Sequence, residues 1–421
     1  MDSREQTAFD VSGGTRAFLT EETAEELLRP LLAPGNSFTH VCLSNWSFGH
    51  GSAEVAARAL APLKHRLVDV NLADIVAGRP EAEALNAMTT ISVALGGSRL
   101  KSLNLSDNAL GEKGVRAFSA LLSSQDSLHS LYFMNNGISE EAAHAIAELL
   151  PSAKELRTLC FHNNMSGDKG AEELAAVVSQ ATLLERFQMS SSRVGSDGAI
   201  VLMESLRHGK FLRSIDLRDN MYGVEAGLAL AKTLRLHTSL REVYLSDLNL
   251  EDEAASAVVG ALSENASQLE VLELGGNEIT QAVAPALATC IRSLKFLTRL
   301  NLMENELKDK GVVTISNAVK EAENLRELDL CVNELGRIGA VAVAQAVANK
   351  KGFKALNLNG NSISEAGIEA IQEVLSKSAA GAGVLGPLDE NEEEDQEDEE
   401  EDEENGDEGA EVEGLSDLEV A

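Results

Sequence analysis

Apolar residues recur along the chain in one arrangement. In LKSLNLSDNAL (100–110) leucine stands at positions one, four, six and eleven and asparagine at nine. The spacing returns as LHSLYFMNNGI (128–138), LRTLCFHNNMS (156–166), LRSIDLRDNMY (212–222) and LEVLELGGNEI (269–279). LTRLNLMENEL (297–307), LRELDLCVNEL (325–335) and FKALNLNGNSI (353–363) follow it too. Degenerate copies at 184–194 and 240–250 fill the gaps, and weaker ones stand at 38–48 and 67–77. From 100 to 353 the step is 28, with one of 29; the step from 67 to 100 is 33, an insertion of five residues around Ala77–Thr89. Alternation of the LxL kind predicts a short strand with one buried face. The apolar spacing that follows, as in GVRAFSALLSS (114–124), predicts a helix of about 12 residues.

A fixed period of this kind is the signature of a solenoid, whose units cannot bury their apolar faces alone. We read an α/β leucine-rich repeat solenoid of about twelve repeats of 28 residues. It should curve as a horseshoe, with a parallel sheet on the concave face and helices on the convex face. Residues 1–37 are expected to cap it, with Thr20 or Thr23 as a helix N-cap, residues 38–380 to form the repeats, and 381–421 to be a disordered acidic tail. Asn108, Asn136, Asn164, Asn220, Asn277, Asn305, Asn333 and Asn361 are expected to form a hydrogen-bonded ladder, because an amide can satisfy backbone groups of adjacent turns. Ser192 and Leu248 interrupt it, so those turns should be looser. Small residues near the helix starts, such as Gly114, Gly170, Gly198 and Gly339, should let helices approach closely.

The residue before the ladder forms a second column: Asp107, Asn135, Asn163, Ser191, Asp219, Asp247, Gly276, Glu304, Val332 and Gly360. Its first six members are short and polar. That half of the rim reads as a recognition surface, although solvent exposure alone would also make a rim polar.

Charge narrows the partners. The chain carries −33, and Asp389–Ala421 holds 20 of the 68 acidic residues and none of the 35 basic ones, so the body carries −13. Such a chain repels nucleic acid and anionic membrane. Four separated cysteines without CxxC suit a reducing compartment. No apolar run is long enough to span a bilayer, and the polar N-terminus resembles no targeting peptide. The eight histidines show no metal-ligand spacing, and no GxxxxGK[ST] or HExxH occurs, so no metal site is expected. His162 and Cys160 are read as a surface histidine and a solvated thiol.

Beyond generic repeats, the segments SGGTRAFL (12–19), VAGRPEAEAL (76–85), LNLSDNALGEKG (103–114) and MNNGISEEAA (134–143) are distinctive. So are FHNNMSGDKGAE (161–172), LRDNMYGVEAG (217–227), NELKDKG (305–311) and PLDENEEED (387–395). They resemble the Ran GTPase-activating proteins, plant type, over about residues 9–390. The resemblance implies a protein that stimulates GTP hydrolysis on Ran in trans, in nucleocytoplasmic transport and mitotic Ran regulation. It implies no hydrolase activity and no cofactor of its own, since GTP and magnesium belong to Ran. Members of the family work without an arginine finger and hold Ran's catalytic glutamine with the first asparagine of an HNNG-like motif. Here that motif reads Met134-Asn135-Asn136-Gly137, which passes the role to Asn135. Arg79 matches the family's loop arginine and is read as a docking residue. Asp107, Asn163 and Asp219 are read as further Ran contacts, from the rim column alone.

The implied partners are Ran-GTP and a Ran-binding protein in a ternary complex, with the chain itself a monomer. Neither the plant WPP targeting domain nor the animal SUMO-conjugation domain is seen. A cytoplasmic location is therefore expected, with nuclear-envelope association dependent on targeting this sequence does not display. The acidic tail is expected to be a solubilising segment or to steer a basic partner over about a Debye length, ~8 Å. Two non-catalytic readings compete: a ribonuclease-inhibitor-like binding module, against which stand only four cysteines, and an acidic histone-binding chaperone, against which stands the repeat number.

Overall fold

The computed structural model describes residues 7–392. It holds thirteen three-residue strands: β1 (Ala8–Asp10), β2 (His40–Cys42), β3 (Asp69–Asn71), β4 (Ser102–Asn104), β5 (Ser130–Tyr132), β6 (Thr158–Cys160), β7 (Arg186–Gln188), β8 (Ser214–Asp216), β9 (Glu242–Tyr244), β10 (Val271–Glu273), β11 (Arg299–Asn301), β12 (Glu327–Asp329) and β13 (Ala355–Asn357). They form one parallel sheet in sequence order. The register keeps equivalent residues paired, as in Leu103 with Leu131 and Leu131 with Leu159. The leucines of the motif point into the space between sheet and helices: Leu100, Leu103 and Leu105 are fully buried.

β2 to β13 are the twelve expected repeats. β1 is an addition: the cap carries a strand, paired with β2, as well as the helix Glu21–Leu27. Thr20 is the N-cap, with its hydroxyl accepting from Thr23 N–H and the Thr23 hydroxyl accepting from Thr20 N–H. The helix expected over 114–124 is broken at Phe118 into Gly111–Ala117 and Ser119–Leu122. The Ser92 hydroxyl accepts the Leu121 N–H at 3.0 Å, and a side chain inserted into the ladder bends a helix.

The asparagine ladder is continuous where its residues are present. Asn136 Nδ2 donates to Leu105 O at 2.9 Å, and Asn136 N–H donates to Asn164 Oδ1 at 3.1 Å. At Ser192 the expected looseness is not what the bonds describe: its hydroxyl donates within 3.0 Å of Phe161 O, and its N–H still reaches Asn220 Oδ1. Leu248 keeps only the second kind of bond, N–H to Asn277 Oδ1 at 3.1 Å. Close helix packing also follows from the small residues. A Cβ on Gly198 would stand 2.6 Å from Asp168 Cα.

The solenoid runs past the boundary placed at residue 380. Leu385 bridges to Leu356, Gly386 N–H donates to Leu356 O, and Asn391 Oδ1 accepts Asn361 N–H at 2.9 Å. Leu385, Leu388 and Asn391 thus form a terminal half-repeat that closes the ladder. The rest of the acidic tail lies outside the described residues.

Candidate functional site

The rim column is first a backbone phenomenon. From Asp107 to Gly360 every member has positive φ, between 50° and 64°. Asn, Asp and Gly tolerate this left-handed conformation best. The polar column therefore has a conformational cause beside recognition or exposure. Glu304 and Val332 adopt it against preference, at φ 51° each.

Three of its members are joined. Asn163 Nδ2 donates to Asn135 Oδ1 at 2.9 Å, and Asn135 Nδ2 donates to Asp107 Oδ1 at 2.7 Å. The chain of bonds fixes the orientation of the Asn135 amide and ends on a carboxylate. Asn135 is exposed, whereas its neighbour Asn136 is buried in the ladder. One amide hydrogen and one lone pair of Asn135 remain for a partner.

Asn135 and Asn163 line a cavity of ≈ 640 Å³ together with Asp219, Asp247, Met165 and Arg193. Asp219 shares this cavity without bonding to the relay. The Asp247 carboxyl is pushed up by burial and by the nearby charges of Glu304 and Asp219. Arg193 is exposed and was not singled out from the sequence. Its one signal is that it follows the ladder position where other repeats carry Ala109, Gly137, Met165 or Met221.

Arg79 is not in this cavity. Its Nε donates to Ser47 Oγ at 3.1 Å, Nη1 to Glu83 at 3.0 Å, and Nη2 to Leu19 O at 3.0 Å and Ser47 O at 2.7 Å. The Phe18 ring centroid lies 4.8 Å from its guanidinium carbon. The arginine read as a docking residue is 13% exposed and occupied inside the chain. It joins the segment around Leu19 to the loop before the helix Glu81–Leu95. That segment is also held by Trp46 Nε1 donating to Val11 O, Asn45 donating to Gly14 O, and an ion pair between Arg16 and Asp74.

Cys160 is buried, not solvated, and burial pushes its thiol up to about 11. His162 Nδ1 lies 2.9 Å from Ser190 Oγ. Among the described residues no group of three His, Cys, Asp or Glu is placed to hold a metal. Among them no helix is long and apolar enough to cross a membrane.

A curved parallel sheet backed by helices, built on this repeat, defines a leucine-rich repeat protein. The Leucine Rich repeat family model matches residues 99–119 and 293–316. A crystal structure of the yeast Rad7 and Elc1 complex has the same fold at TM-score 0.51 and 15% identity, over 86% of this chain and 81% of that one. Within that class the chain is similar to two Arabidopsis thaliana proteins. It is 62% identical over 126 residues to RAN GTPase-activating protein 2 and 58% identical over 120 residues to RAN GTPase-activating protein 1. These matches span 30% and 28% of this chain, and 23% and 22% of the relatives' lengths.

Proposed function

We propose that this chain is a GTPase-activating protein that works in trans on the small GTPase Ran. The names of the two Arabidopsis relatives support the activity and the partner. The observation that carries the mechanism is the clamped amide of Asn135, held by Asn163 on its oxygen and Asp107 on its nitrogen. An amide fixed in this way can orient a second amide, such as the glutamine that positions the attacking water. Because the orientation is set before the partner arrives, less reorganisation is needed in the transition state.

In this reading Arg79 supplies no finger, since four of its N–H contacts are already made within the chain. GTP and magnesium come with Ran, and this chain hydrolyses nothing by itself. The chain acts as a monomer, in the cytoplasm, with a Ran-binding protein able to join the complex.

Single-turnover GTP hydrolysis on Ran tests the reading. Wild type should accelerate it strongly. Asn135→Asp, which tolerates the left-handed backbone but loses the donor, should reduce the maximal rate by about 100-fold, worth ~2.7 kcal/mol. No acceleration by wild type would return the chain to a non-catalytic binding module.

A further inference from the structure

A second depression lies beside the relay. Ala77, Ala84, Leu85, Met88 and Leu110 give a groove of ≈ 650 Å³ its apolar lining, and Asp107 stands at its edge. The insertion in the second repeat builds one wall. Nine residues separate β3 from the helix Glu81–Leu95, against six between β4 and the helix Gly111–Ala117. Stacking does not need the extra length, because β3 and β4 pair in the ordinary register.

The enlarged loop is held rigidly. Arg79 anchors it from below, and Gly78 turns at φ 75° beneath the Phe18 ring. Phe18 remains 60% exposed and extends the apolar face beyond the groove.

Charge selects the occupant. The neighbouring cations are already paired: Lys113 with Glu81, Arg116 with Glu112, Arg79 with Glu83. Asp107 is not neutralised. Its Oδ1 accepts from Asn135, and among the described residues its Oδ2 has no hydrogen-bond partner and no cation. The rim column from Asp107 to Gly360 contains no basic residue. A second copy of this chain, itself at −33, would bring acid against acid.

We propose that this groove receives an apolar side chain of the GTPase partner, flanked by a lysine or arginine that pairs with Asp107. The inference rests on the activator reading and adds to it a docking site beside the relay. Because Asp107 belongs to both, docking here places the partner's reacting face over Asn135. The groove supplies binding that is the same in ground and transition states, which acts on KM and leaves kcat alone.

The test is steady-state activation of Ran-GTP by wild type, Ala77→Glu and Leu85→Ala, with circular dichroism melts of each. Ala77→Glu should raise KM at least tenfold, with kcat at saturation within twofold of wild type. Leu85→Ala, a milder change in case the charge disturbs folding, should raise KM about three- to fivefold. Wild-type activation with unchanged KM in folded variants would overturn the groove and leave the activator reading intact. A fall in kcat at unchanged KM would also overturn it. Failure of wild type to activate Ran would overturn the activator reading, and the groove's occupant with it.

Discussion

The carboxylate of Asp309 accepts the backbone N–H of Gly339 at 2.8 Å, so a side chain in one repeat caps the helix of the next. The same oxygen accepts Gly336 N–H at 2.9 Å. Asp168 does likewise for Gly195 and Gly198 at 2.7 and 3.1 Å. Unsatisfied donors at a helix start favour such an acceptor. Here it comes from the neighbouring repeat and couples adjacent units. Asp309→Ala should therefore cost about 1–2 kcal/mol in urea unfolding. Gly339→Ala should cost a similar amount, because its Cβ would lie 2.5 Å from Asp309 Oδ1. The double variant should cost less than the sum, since both changes break one contact. Additive losses would mean that the two residues act independently and that the Asp309–Gly339 contact does not couple the repeats.

The relay gives a prediction separate from the loss of Asn135 itself. Asn163→Asp replaces the donor to Asn135 Oδ1 with an acceptor and keeps a residue suited to φ 53°. The Asn135 amide should then turn over, and the maximal rate on Ran-GTP should fall about tenfold, ~1.4 kcal/mol. Asn163→Gly, which removes the bond without repulsion, should fall less. Equal rates in both variants would show that the orientation of Asn135 is immaterial.

Arg193 and Arg79 should separate by what they change. Arg193 is exposed in the cavity beside Asn135, so Arg193→Ala should alter KM and leave the melting temperature in place. A loss in kcat near 1,000-fold would instead make it a finger, the size such a residue commands. Arg79→Lys keeps the charge but not the fork geometry. It should lower the melting temperature by several degrees, read by circular dichroism.

His237 is 1% exposed, and among the described residues neither ring nitrogen has a partner at good hydrogen-bond geometry, the Leu206 backbone being the polar group that acts on it. Burial pushes it down to about 4 from an ordinary value of 6.5. The unfolded chain therefore takes up a proton first as pH falls. Its contribution is undiminished above pH 6.5 and is lost progressively down to about pH 4, for a total near 3 kcal/mol. Replacing it with leucine should flatten the difference in stability between pH 7 and pH 4.5 by about 2–3 kcal/mol, measured by urea titration. An unchanged difference would place the acid sensitivity elsewhere.

Much of this architecture was legible because each repeat states its own requirement: leucines to bury, an amide to close the turn. β1 was not legible, because Ala8–Asp10 carries no repeat motif and becomes a strand only by pairing with β2. The terminal half-repeat was hidden for a different reason. Leu385, Leu388 and Asn391 keep the apolar and amide positions, but the surrounding acid dominates the composition. At the rim, two causes wrote one pattern. Asn135 could be read as a site residue, yet the left-handed backbone alone would favour asparagine there. The occupied state of Arg79 depends on Leu19 and Ser47, 60 and 32 residues away, which no local motif encodes.

At Leu248, as at Ile75, an apolar side chain stands at the ladder position and offers no amide to the preceding turn, although each backbone N–H still reaches the next asparagine. The relay lies on the continuous run between these two gaps, from Asn108 to Asn220. Asn135 thus sits in the stretch of the spine where every turn is tied by a side chain to the one before it.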